Sequence, residues 1–143
     1  MKITDRLLIE HHLLRSLLTA MGQWLTSGMP AEVLRARAVL LGVALEDHVQ
    51  REEQYLFDPL RPLAEIAQRP VDMMTLVHAE VRDLLEEIAD PARDPVSRMW
   101  TVLQLTEEHF VDEENSLFPL AETLMDAATL ERLGSEPEHT GAA

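Results

Sequence analysis

Apolar residues recur at alternating steps of three and four along most of the chain, the spacing that gathers them on one face of an α-helix. The first stripe runs Ile3, Leu7, His11, Leu14, Leu18, Met21, Leu25, and the second Leu34, Leu41, Leu45, His48, Glu52, Leu56. The third runs Val71, Met74, His78, Val81, Leu85, Ile88, and the fourth Met99, Val102, Thr106, His109, Glu113, Leu117, Leu120, Leu124. Prolines punctuate the pattern: Pro30 can open a helix, Pro59 and Pro62 can close it, Pro70 can open another, and Pro91 with Pro95 marks a third break. The pattern predicts helices over 3–26, 31–62, 71–89 and 95–132. Short links between long helices favour antiparallel neighbours, so the expected fold is all-α, an up-down-up-down four-helix bundle spanning residues 1–133. The segment 134–143, GSEPEHTGAA, carries no apolar periodicity and reads as a disordered tail.

Each apolar stripe is interrupted by one histidine, and in the second and fourth stripes a glutamate follows four residues later on the same face. The interruption is itself duplicated. His48 to Leu60 reads HVQREEQYLFDPL and His109 to Leu120 reads HFVDEENSLFPL, while His11 to Leu18 reads HHLLRSLL and His78 to Leu85 reads HAEVRDLL. The chain is thus a hairpin of one helix with a lone histidine and one with HisxxxGlu, used twice. At ~1.5 Å rise per residue the two histidines of each hairpin differ in height by about 3 Å and about 5 Å, so all four can share one layer.

Composition narrows the choices. Leucine occurs 24 times while aromatic residues make up 4% and glycines number five, which removes the usual materials of a β-rich fold. The 143 residues carry a net charge of −14, which argues against nucleic acid and anionic membrane surfaces as partners and favours cations. No cysteine is present, which excludes disulfides, thiolate metal sites and cysteine nucleophiles. The longest apolar run, Ala38 to Leu45, is too short to span a bilayer, and the charged stretch Met1 to Glu10 does not resemble a signal peptide, so a cytoplasmic location is expected.

Four imidazoles and two carboxylates in an apolar layer are costly unless something binds them. The expected metal ligands are His11, His48, Glu52, His78, His109 and Glu113. Imidazole and carboxylate suit iron, with zinc or manganese as substitutes, and two carboxylates able to bridge argue for two ions. A single histidine on an apolar stripe is ordinarily a satisfied core residue; four level histidines with matched glutamates reverse that reading. His12 competes with His11, but only His11 lies on the Leu7, Leu14, Leu18 stripe. Glu53 and Glu114 lie off the stripe and read as solvated or as supporting the ligands, Met73, Met74, Trp24, Trp100 and Phe118 as core packing, and His139 as uninvolved.

These residues resemble the hemerythrin-like HHE cation-binding family. The histidine of EHHLL, HVQREEQYLF, the histidine of LVHAEV and HFVDEENSLFPL follow its H…HxxxE…H…HxxxE order across residues 3–125. The resemblance implies a non-heme diiron site in a four-helix bundle, with His11 and His48 on one iron, His78 and His109 on the other, and Glu52 and Glu113 bridging. The oxygen-carrying members place a second histidine where this chain has Met74, and an aspartate five residues after the last histidine where this chain has Glu113 at four. Those departures weigh against simple oxygen carriage. Tyr55, seven residues after His48, is within reach of the site, although packing is its simpler role.

The expected function is a small diiron protein that binds or processes dioxygen, nitric oxide or peroxide. The alternative is an iron- or oxygen-sensing module without turnover, and a metal-free structural bundle is the third class. No phosphate loop, nucleophile–base pair or larger substrate cleft is visible in the sequence.

Overall fold

The computed structural model describes residues 1–136; His139 and the remainder of the expected tail lie outside the described residues. The chain is all-helical, and no strand occurs among the described residues. Helix α1 spans Ile3–Thr26 and α2 spans Ala31–Glu52. The second helix runs on through a π turn, Glu53–Phe57, and two short turns, Asp58–Leu60 and Arg61–Leu63. Helix α3 spans Glu65–Ala89 and α4 spans Pro95–Asp112, the latter continuing through a second π turn, Glu113–Leu117, into Phe118–Leu124. A short helix α5, Ala127–Gly134, closes the described chain. Among the described residues no helix is long and apolar enough to cross a membrane.

Contacts run from α1 to α2, α2 to α3, α3 to α4 and α4 back to α1, so the four long stretches form a closed ring, as in a helical bundle. Local chemistry sets several ends. Gly28 adopts a left-handed conformation at φ 74° and turns the chain between α1 and α2. Asp94 accepts a hydrogen bond from the Val96 N–H with Pro95 at the first helical position, and Asp126 caps α5 through the Thr129 N–H.

Two expected boundaries are corrected. The third helix begins at Glu65 rather than at 71, with Pro70 inside it. So near the helix start, proline removes only the bond to the Ile66 carbonyl, on an exposed residue where water can reach it. The fourth segment does not continue unbroken to 132: Met125 is extended, and Asp126 starts a separate helix that packs back on α1. Arg6 donates to the carbonyls of Gly134 and Glu136 at 3.2 and 3.0 Å, which ties residues 134–136 to the bundle.

Two apolar clusters fill the interior. One contains Ile3, Leu7, Leu56, Phe57, Val71 and Leu117, and the other Leu14, Leu18, Met21, Leu41, Met99 and Phe110. Between Leu7 and Leu14 on α1 stands His11, so the buried polar layer lies between the clusters and is screened from water on both sides. Met74 and Phe118 are buried as expected, but Met73 is 53% and Trp100 45% exposed, so neither is a core residue.

Candidate metal centre

All six expected ligands are buried, and they converge. His11, His48, Glu52 and Glu113 offer donor atoms within 4.8 Å of one another, and so do Glu52, His78, His109 and Glu113. Both carboxylates belong to both groups. His12 is exposed and lies outside both groups, whereas His11 is in the first.

Each HisxxxGlu pair is followed at once by a π turn. An α-helical step of four overshoots a full turn by about 40°, so successive i, i+4 residues drift off the inward face. The wider π turn absorbs that drift and keeps Leu56 and Leu117 inside with Glu52 and Glu113. The apolar stripe gave no hint of these turns, because a single extra residue leaves the periodicity on either side intact.

The π turns also deliver Glu53 and Glu114 to the backs of the imidazoles. His78 Nδ1 lies 2.8 Å from Glu53 Oε1, His11 Nδ1 lies 3.1 Å from Glu114 Oε2, and His48 Nδ1 lies 2.8 Å from Glu10 Oε1. Of the two sequence readings for Glu53 and Glu114, solvated or supporting, the second is the one realised. Glu10 was missed altogether, since it sits one residue off the α1 stripe with nothing in the sequence to mark it. Arginines hold these carboxylates in turn: Arg15 bonds Glu114 at 2.8 Å, Arg51 bonds Glu10 at 2.8 Å, and Arg82 bonds Glu46 while lying 3.7 Å from Glu53.

A carboxylate accepts, so His11, His48 and His78 donate from Nδ1, and in the neutral ring each is left with a bare lone pair on Nε2. Those lone pairs face inward. His11 Nε2 lies 3.7 Å from Glu113 Oε1, His48 Nε2 3.7 Å from Glu52 Oε1, and His78 Nε2 3.2 Å from Glu52 Oε2. His109 Nε2 approaches Glu113 Oε1 at 2.9 Å without the angle of a hydrogen bond. The Nε2 atoms of His11 and His48 and all four carboxylate oxygens of Glu52 and Glu113 have no hydrogen-bond partner among the described residues. Buried donors left in this state need a cation between them, and the residues fit one.

Protonation follows the same geometry. Burial, reinforced by the neighbouring His48, pushes His11 down to about 4. Burial also opposes a charge on His78, yet the carboxylates of Glu52 and Glu53 outweigh it and raise its pKa. Burial drives Glu113 well above the usual carboxylate range, with the charge of Glu52 adding to the effect. Glu52 feels the same burial penalty, but the surrounding imidazoles, His48 first, hold it well below that range. Burial and the neighbouring charges thus push the two carboxylates in opposite directions, Glu113 up and Glu52 down.

Aromatic rings fix the histidine planes. His11 stacks on Phe110 at 3.9 Å and on Phe118 at 5.5 Å, and His78 stacks on Phe57 at 5.5 Å. Phe57 and Phe118 are the matching LF phenylalanines of the two repeats. Tyr55 is partly buried against the apolar cluster around Leu56 and Leu117, which agrees with a packing role.

A helical bundle with a buried layer of imidazoles and carboxylates whose lone pairs converge defines a class of metal-binding protein. The family model of the hemerythrin HHE cation-binding domain matches residues 2–121, and the chain belongs to that family. No curated protein and no solved structure matches it.

Proposed function

We propose that this chain holds two non-heme iron ions and binds or processes a small ligand such as dioxygen, nitric oxide or peroxide. One observation carries the reading: two four-donor groups share the same two carboxylates, Glu52 and Glu113, which is what a carboxylate-bridged pair of ions requires and a single ion does not. Bound iron would supply open coordination positions and a change of oxidation state. The chain's own residues do the rest. Glu10, Glu53 and Glu114 orient His48, His78 and His11 so that their Nε2 atoms face the centre. The two apolar clusters keep bulk water away from the layer. Met74, buried one turn before His78, adds no imidazole there, which leaves the His78–His109 half short of a nitrogen donor relative to the oxygen carriers.

Expression in iron-replete medium followed by elemental analysis and an aerobic absorption spectrum tests the proposal. About two irons per chain, with charge-transfer bands that change on adding peroxide or nitric oxide, is the expected result. Iron near zero or one per chain would overturn it.

A further inference from the structure

The outer side of α2 carries a second apolar stripe that the bundle core does not use. It runs Val33, Ala36, Leu40, Val43, in steps of three and four that continue through Asp47 to Gln50, the spacing of a coiled-coil seam. Leu40 is 70% and Val43 65% exposed, and on α1 Leu13 is 67% exposed, one turn from Leu17. Leu17, Val33 and Val39 are exposed as well, so the patch amounts to several hundred Å², the scale that marks an interaction site on a monomer. Leu17, Met21, Trp24, Arg37, Leu40 and Leu41 line a groove of ≈ 180 Å³ between the two helices, a hole that an aliphatic knob from a facing helix would fill. The exposed side of α3 offers no equal, because Arg69 and Glu80 interrupt its stripe of Ile66, Met73 and Leu76.

Charge says what covers the patch. The chain has 26 acidic residues, yet between His11 and Leu45 the sequence holds only Glu32. A second copy, repelled by the rest of a surface with a net charge of −14, meets little repulsion on this face. The two ends of the patch also complement each other. At one end Arg37 lies over the Trp24 ring at 4.0 Å and forms no ion pair among the described residues. At the other, Arg51 holds both Glu10 and Asp47, which leaves one negative charge in excess. Arg37 and Asp47 are each five residues from Gly42, ~7.5 Å along the helix, so antiparallel copies of α2 crossing at that level set Arg37 of one beside Asp47 of the other. The same register sets Leu40 against Ala44. We infer that this chain forms a two-fold dimer through the outer face of α1 and α2, with Leu40 and Val43 at its centre and Arg37 paired with Asp47 of the second copy. Rimmed by these charges, the patch approaches the roughly 800 Å² that each partner contributes to a standard interface. The inference does not depend on what the donor layer binds.

Sedimentation equilibrium on the full chain tests it. The wild type should show about twice the 16.2 kDa of one chain, metal-free as well as iron-loaded. Leu40→Asp and Val43→Asp replace exposed residues, so each should keep the helical circular dichroism of the wild type. Each also places one charge per copy in the seam and should raise the dimer dissociation constant roughly a hundredfold. Arg37→Asp and Asp47→Arg should each raise it about tenfold, and the two together should bring it back toward the wild-type value, as an antiparallel pairing requires. A wild type that stays monomeric at millimolar concentration leaves the face to a different partner and overturns the inference. So does a dimer whose dissociation constant neither aspartate variant in the seam raises, since its interface then lies elsewhere. Failure of the exchanged pair to restore association overturns the antiparallel register.

Discussion

His78 Nε2 and His109 Nε2 lie 2.9 Å apart in the buried layer. Because His78 donates from Nδ1 to Glu53, its Nε2 is an acceptor in the neutral ring. His109 must then either turn a proton toward it or face it with a second lone pair. If the proton is on Nε2, His109 Nδ1 is left bare, buried and without a partner among the described residues. A cation between the two rings satisfies both without that loss.

Replacing either HisxxxGlu histidine should therefore lower iron content and stability together. A ligand bound only to the folded state at a hundredfold excess over its Kd adds about 2.7 kcal/mol. Iron-loaded His48→Ala and His109→Ala are expected to lose an amount of that order in chemical denaturation. Elemental analysis and melting curves on the same preparations check it, and unchanged curves in both variants would contradict the ligand assignment.

The carboxylates behind the rings should matter almost as much as the ligands. Glu10→Gln and Glu53→Gln keep size but weaken the acceptor that fixes each imidazole, and iron affinity should fall roughly 10–100-fold. Competition with a chelator measures the loss. Affinity equal to wild type in both would mean that these contacts only bind surface charge.

Acid should act on the metal-free protein through His11. Its folded pKa is about 4 against an ordinary 6.5, so the unfolded chain takes up the proton first as pH falls. The contribution of neutral His11 is intact above 6.5 and is lost progressively between 6.5 and about 4. Metal-free His11→Gln should lack this component, so the stability gap between it and wild type should change across that window. A gap independent of pH would show that His11 is not buried neutral.

Much of this was legible in the sequence because burial imposes a period. Six buried donors fell on four apolar stripes, where His11 replaced a leucine and Glu52 sat one turn beyond His48. What the stripes could not carry was anything set by a neighbouring helix. Glu10 reaches His48 across the α1–α2 contact, and the groove beside Leu40 is bounded by two helices. Pro70 misled for a related reason: a proline marks a local disruption, but whether a helix can begin before it depends on where the freed carbonyl points.

Away from the metal site, Gly134 carries a structural prediction. A Cβ there would run into the Met1 carbonyl and the backbone of Lys2 and Ile3, where α5 packs on the start of α1. Backbone cannot yield as a side chain does, so Gly134→Ala should cost about 1–3 kcal/mol, the usual range for overpacking. A melting temperature equal to wild type would place α5 farther from α1 than described.

The two hairpins match in His11 and His78, Arg15 and Arg82, Glu53 and Glu114, yet Glu10 is answered in the second copy by Val77. His48 thus leans on an anion that His109 lacks among the described residues. An imidazole so held is the better oriented ligand for a metal. The duplicated halves have become unequal partners, and the His11–His48 side should fill first. Stepwise titration with ferrous ion should accordingly show two unequal affinities, drawn together by Glu10→Val, whereas a single affinity in wild type would mean that symmetry survived the exchange.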